Sequence, residues 1–377
     1  MNKGAKLNRR VWKLFETSGF RTLPNSESAA EYEVALPAKK KIPVDLHASD
    51  AELCVTVIGS NKSGSVDRWT QRVHSYLELG RAAKADKVLF VATGHALSEE
   101  QKTYALERGA CVWGEEELAY FEAVSEAIGT YAKYEIIHSL GLKTHEEKDT
   151  HKVLAIRLTQ PTSRSGSELF MFTLSPERLL KTCVVYRRAQ GNSAAYQRIL
   201  RKNRLPKVQS FVTRPDSLLP TDLIVYLDEK VTVDRIQLGE LKDKENRPIT
   251  VSKSKGGELV VLNIPMEYAS LELVDGQHRL YGFVNTDPAT RKEFNLVVLG
   301  MKGLSQKQRR DTFVAINDNS RRMDANLVAY LKYTTDDSEC QKSSELMAIR
   351  IAVDLNKTAP FRGAIRLLDM PSCSAPR

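Results

Sequence analysis

Cysteine is scarce and unpatterned in this chain of 377 residues: five, at positions 54, 111, 183, 340 and 373, with no C-x-x-C pair. An odd, scattered set excludes a disulfide framework, argues against a structural zinc site and fits a reducing cytosol. No apolar run approaches the roughly 18–20 residues that a membrane helix needs. The basic start, Met1 to Arg10, runs into an amphipathic segment and not into an apolar signal core, so the chain reads as cytoplasmic, with no membrane partner. Walker-type G-x-x-x-x-G-K-[ST] and nucleophile-elbow G-x-S-x-G strings are absent. The histidines at 47, 74, 95, 138, 145 and 151 show no metal-ligand spacing. His145 with Glu146 and Glu147 reads as a solvated linker.

What is present is an ordinary soluble composition, 42% hydrophobic and 27% charged. The length suggests two or three domains. Charge is distributed unevenly. Residues 1–150 carry a net of −2 and residues 221–377 a net of +1, while residues 151–220 hold 13 Lys/Arg against 3 Asp/Glu, a net of +10. The whole excess of +9 therefore sits in seventy residues. Such a concentration is the footprint of a face that meets a polyanion, nucleic acid or nucleotide. A solvated basic surface with no ligand is the plainer reading.

Apolar spacing of three and four predicts a helix over residues 5–18 (Leu7, Val11, Leu14, Phe15). Residues 52–58 (E-L-C-V-T-V-I) read as a buried strand ending at Gly59, with 59–64 a loop. A helix over 66–83, a strand over 87–92, a helix over 98–108 opened by Ser98 and Gln101, a strand over 110–113 and a helix over 115–128 follow. That order is an α/β domain with a mixed sheet. The polar T-H-E-E-K-D-T run places the boundary, giving a first domain at 1–130, a linker at 131–150 and a second domain at 151–377. In the second, strands are expected over 152–159, 169–173, 182–186, 222–227, 258–264 and 270–274. Helices are expected over 194–200, 205–212 and 308–316.

The most distinctive string is Asp275-Gly276-Gln277-His278-Arg279, followed by L-Y-G-F. A strand runs into Asp-Gly and a helix begins near Gln277. Glycine permits a tight turn, and the first N–H groups of a new helix lack partners. His278 and Arg279 add one switchable and one permanent positive charge. The result is either a corner suited to phosphate or an ordinary turn whose Arg279 pairs with a nearby carboxylate. Tyr196, Gln197 and Arg198 offer an aromatic face, an amide and a guanidinium within one turn, a set able to stack on a base and hold a phosphate. Arg201, Lys202, Arg204 and Lys207 follow at once, and phosphate contacts of this kind carry DNA affinity. The plainer reading packs Tyr196 inward and leaves Arg198 in water. Asn317 and Asn319 fall beyond the helix that Phe313 and Ile316 anchor, as caps or as ligand contacts.

These strings together resemble the DGQHR-domain family, whose members include DndB of the DNA phosphorothioation system. The resemblance is carried by D-G-Q-H-R with L-Y-G-F, by Y-Q-R at 196–198, by S-L-L-P-T-D-L-I-V-Y at 217–226 and by F-V-A-I-N-D-N at 313–319. It spans roughly residues 150–370. It implies an α+β domain with a ParB/sulfiredoxin-type core, in which a G-x-x-R-like loop holds nucleotide phosphates. On that basis Gly276, Gln277, Arg279, Asn317 and Asn319 are the expected phosphate contacts, and a nucleotide with Mg2+ is the candidate cofactor. The implied setting is bacterial DNA modification or phage defence, with DNA and other components of such an operon as partners.

Residues 5–122 resemble restriction-endonuclease-like PD-(D/E)xK domains of the Mrr type. The match is a helix ending in Gly19-Phe20, P-V-D at 43–45, a hydrophobic strand, a long helix, K-V-L-F-V-A-T-G and S-E-E-Q-K-x-Y-A near E-E-E-L. Such chemistry needs acidic groups around a divalent cation and a lysine beside the water. Asp45 stands as one ligand and Glu16 as a helical acid. On the strand, Val57, Ile58 and Gly59 occupy the expected positions, and Lys62 lies beyond in the loop. One carboxylate is missing, so the domain is expected to be degenerate and without cleavage. The expected whole is a DndB-like regulator. The alternatives are a nucleotide hydrolase using Asp275, His278 and Arg279, and an active nuclease using Asp45 and Lys62. The ending S-C-S-A-P-R offers no packable element, so a longer or frameshifted natural C-terminus is expected.

Overall fold

The computed structural model describes residues 3–28, 32–36, 41–64, 67–94, 97–144, 149–158, 160, 166–185, 205–214, 218–236, 245, 257–318, 344–357 and 361. The chain divides into two compact units, Met1–Glu146 and Glu147–Arg377, both mixing helices with sheet. Among the described residues no helix is long and apolar enough to cross a membrane.

Unit 1 runs α1 (Lys3–Thr17), β1 (Arg21–Leu23), β2 (Tyr32–Ala35), β3 (Lys41–Val44), β4 (Leu46–Asp50), β5 (Val55–Ser63), α2 (Trp69–Ala82), β6 (Lys87–Thr93), α3 (Glu99–Glu107), β7 (Cys111–Trp113), α4 (Glu115–Ile128) and α5 (Ala132–Ser139). Its main sheet has the order β1-β4-β5-β6-β7, and β2 and β3 form a separate hairpin. The β1–β4 and β4–β5 pairs are antiparallel; β5–β6 and β6–β7 are parallel. The parallel pairs follow from the crossovers through α2 and α3. Residues two apart share a sheet face, and here each face finds its own core. Val55, Val57, Leu89 and Val91 pack with Val11 and Phe15 of α1 and Phe121 of α4. Ile58, Val88 and Phe90 pack with Trp69, Val73 and Leu79 of α2. A Ser98–Gln101 capping box opens α3 as expected.

Two elements differ from the sequence reading. Residues 51–54 form a turn, and β5 starts at Val55 and passes straight through Gly59 to Ser63. Glycine does not end the strand, because a Cβ at 59 would press on the Leu89 carbonyl and on Leu46; close backbone approach is its role. Lys62 is therefore a strand residue. The second difference is the linker assigned to 131–150. Residues 132–139 are helix, with Tyr134, Ile136 and Ile137 buried, so the first unit continues to Glu146. The charged run suggested the boundary, but α5 lies ahead of it.

Unit 2 runs β8 (Thr150–Leu158), β9 (Glu168–Leu174), α6 (Pro176–Thr182), β10 (Cys183–Val184), α7 (Leu205–Val212), β11 (Leu223–Leu227), β12 (Thr232–Arg235), β13 (Gly257–Pro265), β14 (Leu271–Asp275), α8 (Gln277–Tyr281), α9 (Pro288–Glu293), β15 (Leu296–Lys302), α10 (Gln306–Asp318) and α11 (Ser344–Lys357). One eight-stranded sheet takes the order β10-β14-β11-β15-β9-β8-β13-β12. It is mixed: β10–β14 and β11–β15 are parallel, and the other neighbours are antiparallel. Phe170, Phe172, Val225, Val260, Leu262 and Val298 are buried along it. Phe313 of α10 covers Tyr226 and Val274. The helix expected at 194–200 falls outside the described residues.

Candidate functional site

The D-G-Q-H-R string sits where β14 gives way to α8. Gly276 is the helix N-cap at φ +97°, a conformation that L side chains rarely adopt. A Cβ there would collide with Leu223 of β11 and come within 3.2 Å of Arg279 Nε. Glycine is therefore required twice, by dihedral and by space. Arg279 folds back over it, and its Nη2 donates to Asp275 Oδ2 at 2.6 Å. The two side chains are 22% and 44% exposed. Arg279 thus has a carboxylate partner in its own string, the i, i+4 pair forming as soon as α8 starts.

The corner is braced from two sides. Glu272, buried on β14, accepts from Arg309 of α10 at 3.1 Å. The Tyr226 hydroxyl donates to the Arg309 carbonyl, and burial raises its pKa above the usual phenol range. On the other side α7 meets α8 so closely that a Cβ on Gly282 would strike Val208. Gln209 also donates to the Asn285 carbonyl at 3.2 Å. Lys207 is exposed on this same α7, so it is the one expected DNA contact that the structure brings to the neighbourhood of the corner. Tyr196, Gln197, Arg198, Arg201, Lys202, Arg204 and Asn319 lie outside the described residues. Asn317 belongs to the last turn of α10 instead of lying beyond it, since the helix continues to Asp318.

In unit 1, Asp45 occupies the bend between β3 and β4, its carbonyl accepting from Trp12 Nε1 at 2.7 Å. The β4–β5 register pairs Leu46 with Gly59, which puts Asp45 beside Ser60, not beside Val57. Asp45 Oδ2 accepts from the Asn61 N–H at 2.9 Å and faces Ser60 Oγ at 3.3 Å. Ser60 Oγ in turn accepts from Arg72 Nε of α2 at 3.0 Å. The Arg72 guanidinium lies 5.9 Å from the Tyr76 ring centre, and burial raises the Tyr76 phenol pKa. Behind the strand, Asn61 Nδ2 donates to Asn8 Oδ1 of α1 at 3.0 Å.

The strand positions that matter are therefore Ser60 and Lys62, two apart on one face, and not Val57 and Gly59. Sequence reasoning missed Ser60, Arg72, Tyr76 and Asn8. The signal was S-N-K itself, hidden by ending the strand at Gly59. Glu16 is not with Asp45: its carboxylate accepts from the Thr22 hydroxyl at 2.7 Å, the Ser26 N–H at 2.8 Å and the Ser26 hydroxyl, and so holds a turn. Among the described residues no three His, Cys, Asp or Glu converge as a metal site. The Asp45 cluster thus does not fit a catalytic Mg2+, its second position being a hydroxyl that already bonds an arginine. Likewise at the corner, Asp275 is taken by Arg279.

No family model, curated protein or solved structure matches the chain.

Proposed function

We propose that this chain is a DNA-associated protein of a bacterial DNA-modification or phage-defence system, a DndB-like regulator that binds DNA, nucleotide or both and does not cut. The observation that carries the reading is the Gly276 corner. The most distinctive string in the sequence falls on a strand-to-helix turn that only glycine fits, with Lys207 on the helix packed against it. The ordered strings shared with DGQHR-domain proteins support it, as does the net +10 of residues 151–220. A ParB-type core for unit 2 and a restriction-endonuclease-like ancestry for unit 1 belong to the same proposal, as does a cytoplasmic setting with operon partners. The mixed sheet with helices on both faces in unit 1 supports that ancestry. Loss of cleavage is supported by Ser60 standing opposite Asp45. A Mg2+ ion brought by a nucleotide would depend on the nucleotide's own phosphates.

The test is duplex DNA, plain and phosphorothioated, offered to the purified chain in a mobility-shift assay, with parallel incubations for plasmid cutting and nucleotide hydrolysis. Binding without cutting and without phosphate release is expected. Failure to shift either duplex, together with no nucleotide bound in equilibrium dialysis, ends the proposal. Phosphate release lost in Asp275→Ala would replace it with a hydrolase.

A further inference from the structure

The eight-stranded sheet of unit 2 has two unlike faces. One carries Phe170, Phe172, Val260, Leu262 and Val298, all buried. The alternate residues point the other way, and the strand register lines them up in rows. One row runs Leu259 of β13, Ile156 of β8, Met171 of β9, Leu299 of β15 and Ile224 of β11. In the row beside it Val261 pairs with Leu154, and Thr173 with Val297. A sheet face left to water ordinarily carries polar residues at these alternate positions. These carry aliphatic side chains, Met171 and one threonine, and no charge. The helix α10 covers the β11 end, where Phe313, Val314 and Ile316 pack with Ile224 and Met301. Farther along the same face the cover stops: Ile156, Met171 and Val297 are exposed, and Leu154 is 58% exposed.

The same unit carries a ridge of matching character. In α11 Leu346 is buried, while Met347, Ile351 and Leu355 are exposed, Ile351 at 54%. Their spacing of four makes them one stripe. At 1.5 Å per residue the stripe is about 12 Å long, and the open patch spans about 14 Å across its four strands. Both surfaces are open on one chain, so α11, held by Leu346, does not cover its own sheet. A second copy supplies what each surface lacks. One stripe on one patch is a small contact, but a two-fold axis makes it twice. That doubling brings the buried area toward the total of about 1,000 Å2 that a specific interface needs.

We propose that the chain forms a two-fold dimer in which α11 of each copy lies on the open face of the other's β13-β8-β9-β15 strands, continuing the cover that α10 begins. The inference is independent of the DNA reading above. It makes the occupant of the patch a second copy of this chain and the contact reciprocal, helix on sheet and not sheet on sheet.

The experiment is sedimentation equilibrium on the full chain, freed of nucleic acid, with circular dichroism to confirm folding. Wild type should give the mass of two chains. Ile156→Glu and Ile351→Glu each place a charge in both copies of the contact, so each should weaken association on the order of a hundredfold or more. Both positions are exposed, so the fold should survive; Leu154→Glu and Met347→Glu repeat the test on the two surfaces if either variant unfolds. An equimolar mixture of Ile156→Glu with Ile351→Glu keeps one native stripe on one native patch, and should associate more tightly than either variant alone. A wild type of one-chain mass overturns the proposal, and leaves the patch to α11 of its own chain or to another protein. A folded Ile351→Glu that stays fully dimeric also overturns it, in favour of a sheet-on-sheet contact. So does a mixture no tighter than its two components.

Discussion

Gly276 and Arg279 stand three residues apart and are expected to fail in different ways. Alanine at 276 must hold φ near +97° and push a methyl into Leu223. Forcing an L residue into such a conformation costs on the order of 1–3 kcal/mol before the clash is added. Gly276→Ala should therefore lower the melting temperature clearly, read by circular dichroism, and weaken ligand binding with it. Arg279→Ala removes a pair whose acid is 44% exposed. Solvent screens such pairs to about 0.5 kcal/mol, so melting should barely move while binding falls. A melting loss as large as that of Gly276→Ala would make the pair a structural lock and move the ligand site away from the corner. The turn was legible from Asp-Gly alone. The ion pair was legible only as one of two choices, because a spacing of four serves an internal carboxylate and an incoming phosphate equally well.

At the scale of elements, most helices and strands could be read from spacing, since buried faces enforce period two or period three-to-four. The misreadings came where a local rule met a tertiary one. Gly59 reads as a stop, yet the close approach of Leu46 and the Leu89 backbone is what demands it, and nothing local reveals that. Extending β5 moves the candidate positions to Ser60 and Lys62. Ser60→Glu combined with Arg72→Ala should then create what the native cluster lacks, two adjacent carboxylates with a lysine two residues on. Calorimetry should show Mn2+ binding in the double variant and none in wild type; no gain would mean that Asp45 and residue 60 do not face a common point. The sequence reading ends the first domain at 130, ahead of α5, for a similar reason: α5 carries little amphipathic signal. Its Tyr134, Ile136 and Ile137 are buried, and Lys133 bonds Asp50 at 3.1 Å and Glu52 at 2.7 Å. Each buried apolar side chain contributes roughly 1.5–3 kcal/mol, so losing these three approaches the whole stability of a domain, about 5–15 kcal/mol. A fragment ending at 146 should give a cooperative melt, and one ending at 130 should not. Equal melts would place α5 outside the cooperative core.

For the whole molecule, the decisive quantity is where the positive charge lies. Unit 1 is close to neutral, and the excess sits in residues 151–220. Non-specific DNA affinity is chiefly counterion release, with each neutralised phosphate contributing about −0.9 to the slope of log K against log salt. A chain that made only two phosphate contacts would show a slope near −2 by that rule, while one that used the basic segment would be several units steeper. Reversing Arg201, Lys202 and Arg204 to glutamate should flatten the slope by about 3 and leave the melting profile unchanged. A triple reversal that leaves both affinity and slope untouched would mean that the charge excess is only a solvated face. The measured wild-type slope would then have to be supplied by unit 1 and by Lys207 near the Gly276 corner.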